Sequence, residues 1–128
     1  TILPQLDLFT GPVFEEVCRQ FLWQSGLSGK LPFTPTHIGR WWNANEEIDL
    51  IALGETKALS VECKWTAKPL GTDILENLER KVALVGSEMG EKDQLYALCA
   101  RSGFTEQLLT VANHRPDVIL FDLPEIMA

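Results

Sequence analysis

The chain has 128 residues, 11 Lys and Arg against 18 Asp and Glu for a net charge of −7, 45% hydrophobic residues and four Trp. That length and composition suit one domain with a single core and exclude fibrous, disordered and mini-protein classes. The acidic balance excludes loose, whole-surface binding to nucleic acid, which needs a cationic face, so any such role has to be local.

Residues 13–24 set Val13, Phe14, Val17, Cys18, Phe21 and Leu22 on one helical stripe, and Pro12 suits its first turn, so a first helix is predicted there. Gly26, Gly29, Pro32 and Pro35 make residues 25–36 a loop by composition, and residues 37–42 are expected to begin the sheet. Residues 46–53 and 58–65 alternate apolar and polar around Gly54-Glu55-Thr56-Lys57, the pattern of a β-hairpin. A second helical stripe, Ile74, Leu75, Leu78, Val82 and Val85, follows Gly71-Thr72-Asp73 and stops near Gly86. Asp73 and Glu76 there have capping-box spacing. A charged turn at 87–93 leads to a strand at 94–100. A short helix after Gly103, with Phe104, Leu108, Leu109 and Ala112, precedes a last strand at 117–122. The order α-β-β-β-α-β-α-β, without repeats or a dividing linker, predicts a single α/β domain over 1–128 with a mixed sheet flanked by helices.

The hairpin carries the chemistry. Any symmetric closure pairs positions whose numbers sum to 111, which sets Asp49 opposite Glu62. Strict alternation puts Glu47, Asp49, Ser60, Glu62 and Lys64 on one face, charged and solvated, and Ile48, Leu50, Ala52, Leu59, Val61, Cys63 and Trp65 on the core face. Two like charges directly opposed are destabilising, so the facing carboxylates call for a reason. A hard divalent cation is one: Mg²⁺ takes oxygen ligands, one or two carboxylates among them. Lys64, two residues on, is placed to hold an attacking water or to stabilise charge growing on phosphorus. The competing reading is a solvated face on which Lys64 pairs with Glu47 and Glu62, and spacing alone does not separate the two.

Arg40, Trp41 and Trp42 form a second candidate group, since an aromatic beside a cation stacks on bases. Neighbours on a strand point to opposite faces, so one Trp is expected in the core and the other beside Arg40. Lys68, Arg80 and Lys81 are candidates for phosphate contacts or for ordinary surface pairs. His37 and His114 lack ligand spacing. Cys18, Cys63 and Cys99 are odd in number, far apart in sequence and set in apolar patterns, which reads as reduced core thiols. No apolar run approaches the ~20 residues of a membrane span, and Thr1-Ile2-Leu3-Pro4 lacks the charged start of a signal peptide. A cytoplasmic chain with no membrane partner is the expectation, and a start at Thr suggests a piece of something longer.

Asp49, twelve intervening residues and then Glu62-x-Lys64, following a helix with an acidic residue, resemble the PD-(D/E)XK nuclease superfamily. Gly11-x-x-Phe14-Glu15, Gly39-Arg40-Trp41-Trp42, Glu47-Ile48-Asp49, Glu62-Cys63-Lys64-Trp65 and Ser102-Gly103-Phe104 together resemble the nuclease-like domain at the C-terminal end of archaeal-type ATPases. The resemblance runs over residues 11–105. It implies a restriction-endonuclease-like fold and a DNA endonuclease that hydrolyses phosphodiester bonds with Mg²⁺ or Mn²⁺. Asp49, Glu62 and the carbonyl of Cys63 would hold the metal, Lys64 would be the catalytic lysine, and Glu15 the auxiliary acid of the first helix, with Glu16 competing for that place. Arg40, Trp42 and Lys68 are the candidate nucleic-acid contacts. The residue before Asp49 is Ile48 where the superfamily's name has Pro, which leaves the ligands intact. The resemblance also implies an ATPase partner in the same longer chain, of which these residues are a C-terminal fragment. Gly26-Leu27-Ser28-Gly29-Lys30 does not itself supply a phosphate loop, lacking the G-x-x-x-x-G-K-[ST] spacing. Because the superfamily includes members without activity, an inactive DNA- or protein-binding accessory domain of the ATPase stays open. So does a homo-oligomer held through exposed Trp and Leu.

Overall fold

The computed structural model describes residues 10–128; Thr1-Ile2-Leu3-Pro4 and the rest of 1–9 lie outside the described residues. The elements are α1 (Gly11–Leu27), β1 (His37–Trp42), β2 (Glu47–Leu53), β3 (Lys57–Lys64), α2 (Thr72–Val85), a 3₁₀ turn (Gly86–Met89), β4 (Asp93–Ala100), α3 (Glu106–His114), β5 (Val118–Asp122) and α4 (Leu123–Met127). The five strands form one sheet in sequential order, antiparallel from β1 to β3 and parallel from β3 to β5. This is the mixed α/β architecture that the sequence predicts.

Local chemistry explains most boundaries. Thr10 caps α1 by accepting from the Val13 amide, and Pro12 occupies its first turn. The helix runs past the predicted loop boundary to Leu27, and the Pro35 ring packs where a Cβ on Gly26 would stand. At α2 the capping box does not form. Gly71 is the cap, and Asp73 falls inside the first turn, where its charge favours the helix N-terminus. The entry to α2 is fixed instead by a parallel bridge between Leu70 and Phe104 and by the Leu70 amide donating to the Gly103 carbonyl. Gly103 sits at φ +77°, so the Ser-Gly-Phe turn needs its glycine. α4 was not expected from periodicity: five residues are too few to display a stripe, but Asp122 caps it by accepting from the Glu125 amide.

Two helical layers cover the sheet. Phe14, Cys18 and Leu22 of α1, with Ile126 of α4, pack on Leu50, Ala52, Leu59, Val61, Cys63, Ala97, Cys99 and Phe121. Leu75, Leu78, Val82 and Val85 of α2 and Leu108 of α3 pack on Ile48, Ile51, Ala58, Leu98, Ala100 and Val118. The expectation of one charged, solvated hairpin face is therefore overturned. β3 is central and pairs in parallel with β4, so the α2 crossover closes the face that the hairpin alone would leave to water. Ser60 is 0% exposed and Glu62 3%.

Strict alternation also fails at one point. Leu50↔Val61 to Leu53↔Ala58 keep the predicted sum of 111. On the other edge of β2, Gly39 stands against Ile51 but Trp41 against Ile48, so Asp49 and Leu50 both oppose Arg40. This β-bulge turns Ile48 to the α2 layer, away from Leu50.

Candidate metal centre

The bulge lies where the predicted site lies. One step beyond Leu50↔Val61, Asp49 stands level with Glu62, and its Oδ2 accepts from the Cys63 amide at 2.9 Å. This bond joins the end of β2 to Glu62-Cys63-Lys64 at the end of β3. Lys64 Nζ is 3.9 Å from Glu62 Oε2, and Lys81 Nζ on α2 is 3.1 Å from Glu62 Oε1. Lys81 also donates to the Glu47 carbonyl at 2.8 Å.

α1 contributes Glu15. Carboxylate oxygens of Glu15, Glu47 and Asp49 lie within 4.8 Å of one another. Arg40 partly neutralises them, with Nη2 3.2 Å from Glu47 Oε1 and Nε 3.9 Å from Glu15 Oε1. Glu16 turns away to an ion pair with Arg19 at 2.7 Å, so of the two helix-one candidates it is Glu15 that reaches Asp49.

The electrostatics set these carboxylates apart from surface ones. Burial, then repulsion from Asp49, pushes Glu62 up to about 7, against the pull of Lys81. Burial and Asp49 likewise raise Glu15 above the usual carboxylate value, with Arg40 opposing. Glu15 Oε1 is buried without a hydrogen-bond partner among the described residues. A desolvated carboxylate oxygen without a hydrogen bond, crowded by other carboxylates, is the kind of donor that a hard divalent ion satisfies. Glu15, Glu47 and Asp49, with Glu62 beside Asp49, are oxygen donors of the kind that Mg²⁺ or Mn²⁺ takes.

The remaining candidates are spread around this centre. Trp41 is half-buried against the α2 layer, while Trp42 is 67% exposed with the Arg40 guanidinium 6.0 Å from its ring centroid. Lys68 and Lys64 line one groove of about 390 Å³ that continues along Thr66 to Ile74. The strand end is braced by Arg101, whose amide donates to the Lys64 carbonyl and whose guanidinium stacks 4.9 Å over Trp65. Arg80 is taken up by Glu46 at 2.7 Å and by Asn77.

Two contributors escaped the sequence reading of the site. Glu47 was assigned to the same face as Asp49 without being weighed as a ligand. Lys81 is read from the sequence as a phosphate contact or an ordinary surface pair, not as the partner of a buried Glu62; its place one turn after Leu78, beside the apolar stripe, is the one signal that it points inward.

Among known proteins, the chain is 40% identical over 123 residues to an uncharacterized protein of Methanocaldococcus jannaschii, covering 91% of this chain. It spans only 26% of that relative's length. The fold is similar to the crystal structure of AF1548, a protein of unknown function, with a TM-score of 0.54 and 15% identity over 83% of this chain and 58% of that one. Residues 1–82, which carry every carboxylate and lysine of the centre, match the DUF234 family, and the chain belongs to these archaeal and bacterial proteins of unknown function.

Proposed function

We propose that this domain is a PD-(D/E)XK-type endonuclease that hydrolyses phosphodiester bonds in DNA and is attached, in a longer chain, to an ATPase. The observation that carries the reading is the convergence of Glu15, Asp49, Glu62 and Lys64 from three elements on the end of β3, held by the bond from the Cys63 amide to Asp49. When bound, Mg²⁺ or Mn²⁺ would supply Lewis acidity and acidify a coordinated water. Asp49, Glu62 and the Cys63 carbonyl would hold the ion, with Glu15 as auxiliary acid. Lys64, 38% exposed and 3.9 Å from Glu62, would serve a water or a phosphate oxygen with its ammonium. Lys68 in the same groove, and Arg40 with Trp42 on the other side, are the groups available to a DNA backbone.

One observation favours the second reading, an inactive DNA- or protein-binding accessory domain of the ATPase. Lys81 already supplies a cation to Glu62 Oε1, and the net charge of −7 opposes capture of DNA by this domain alone. Crystals soaked in Mn²⁺ separate the two. The nuclease reading expects anomalous density between Asp49 and Glu62 with Lys64 facing the gap, whereas carboxylates turned apart, or Lys64 turned away, would contradict it.

A further inference from the structure

All three cysteines of the chain meet in one place, although they are far apart in sequence. Cys63 and Cys99 are partners in the parallel ladder of β3 and β4, and both side chains face α1. Cys18, one turn after Phe14 on the buried stripe of α1, lies over them. The three Sγ atoms lie within 4.8 Å of one another and none is in a disulfide. Exposure is 0% for Cys18, 9% for Cys63 and 0% for Cys99.

We propose that these three sulfurs form a binding site for a soft, thiolate-seeking cation, built from side chains that the oxygen site does not use. Three thiolates about 2.3 Å from a central ion stand about 4 Å apart in a trigonal plane, and the observed sulfurs all lie within 4.8 Å of one another. Soft sulfur ligands select copper(I), zinc and iron–sulfur centres over Mg²⁺ and Mn²⁺. The grouping offers three ligands among the described residues, and structural zinc takes four. Copper(I), which is satisfied by three, is the ion that the triangle fits. Binding releases thiol protons and involves no change in oxidation state.

The test is anaerobic transfer of copper(I) from a chromogenic chelator to the reduced chain. One ion per chain, with thiolate-to-copper charge-transfer absorption that excess Mg²⁺ leaves unchanged, is the expected result. Cys18→Ala and Cys99→Ala should each lower the affinity at least tenfold with the fold intact by circular dichroism. Native mass spectrometry of the unsubstituted chain counts the ion without relying on any variant. No transfer from the chelator, or transfer that both folded variants retain, would overturn the site. Tighter retention of Zn²⁺ than of copper(I) would overturn the three-coordinate assignment.

Discussion

Replacing Glu62 by Gln probes the centre through stability alone. Glu62 is 3% exposed, and its carboxyl rises from the ordinary 4.5 to about 7 through burial and the Asp49 charge. The folded chain therefore keeps a proton that the unfolded chain releases. A raised folded value contributes stability that is fully present below 4.5 and is lost as pH rises through about 7. At about 1.4 kcal/mol per unit, the loss reaches about 3 kcal/mol by about pH 8.5. Gln keeps the shape and a carbonyl for Lys81 but has no proton to lose. Any cost of leaving Lys81 without its carboxylate is a constant offset, so the change with pH is the test. Urea unfolding of both proteins at about pH 5 and about pH 8.5, without divalent ions, should move the difference between them by about 3 kcal/mol in favour of the variant. Mn²⁺ should then restore the unsubstituted chain at the higher pH and leave Glu62→Gln unchanged. Parallel pH profiles would refute the reasoning.

The other expectations are simpler. Mn²⁺ affinity, followed by calorimetry, should rise up to tenfold per pH unit below about 7 and then level off, because the ion displaces the Glu62 proton. Lys81→Met should cost about 3 kcal/mol at about pH 8.5, where it strands a buried carboxylate, and much less at about pH 5, where Glu62 is protonated; denaturant titrations at the two values check this. Glu15→Gln should weaken Mn²⁺ binding at least about tenfold while Glu16→Gln leaves it unchanged, since only Glu15 reaches Asp49. Phe14→Ala, fully buried between α1 and the sheet, should lower unfolding stability by about 3–5 kcal/mol in the same assay.

What was legible in the sequence was what repeats locally. The α1 and α2 stripes, the hairpin register and the level of Asp49 with Glu62 follow from periods of 3.6 and 2 and from one turn. What was not legible depends on elements distant in sequence. A hairpin read alone has a wet face; only the parallel partner β4 and the crossover α2 bury Glu62 and bring Lys81 onto it. The bulge at Asp49 and Leu50 leaves no mark in an alternating string, because it arises from pairing with β1. The cysteines read correctly as buried thiols, but their meeting needed α1 laid across the β3–β4 ladder. Glu15 and Glu16 were separable only once α1 had a direction, which sent one to Asp49 and the other to Arg19.

Cleavage of supercoiled and branched DNA by the purified protein, with Mg²⁺, with Mn²⁺ and with chelator, beside Asp49→Ala and Lys64→Ala, tests the nuclease assignment most directly. Nicking that requires the metal and falls about 10²-fold or more in both variants is the predicted result. Equal cleavage by both variants, or none by any preparation in either metal, would contradict it.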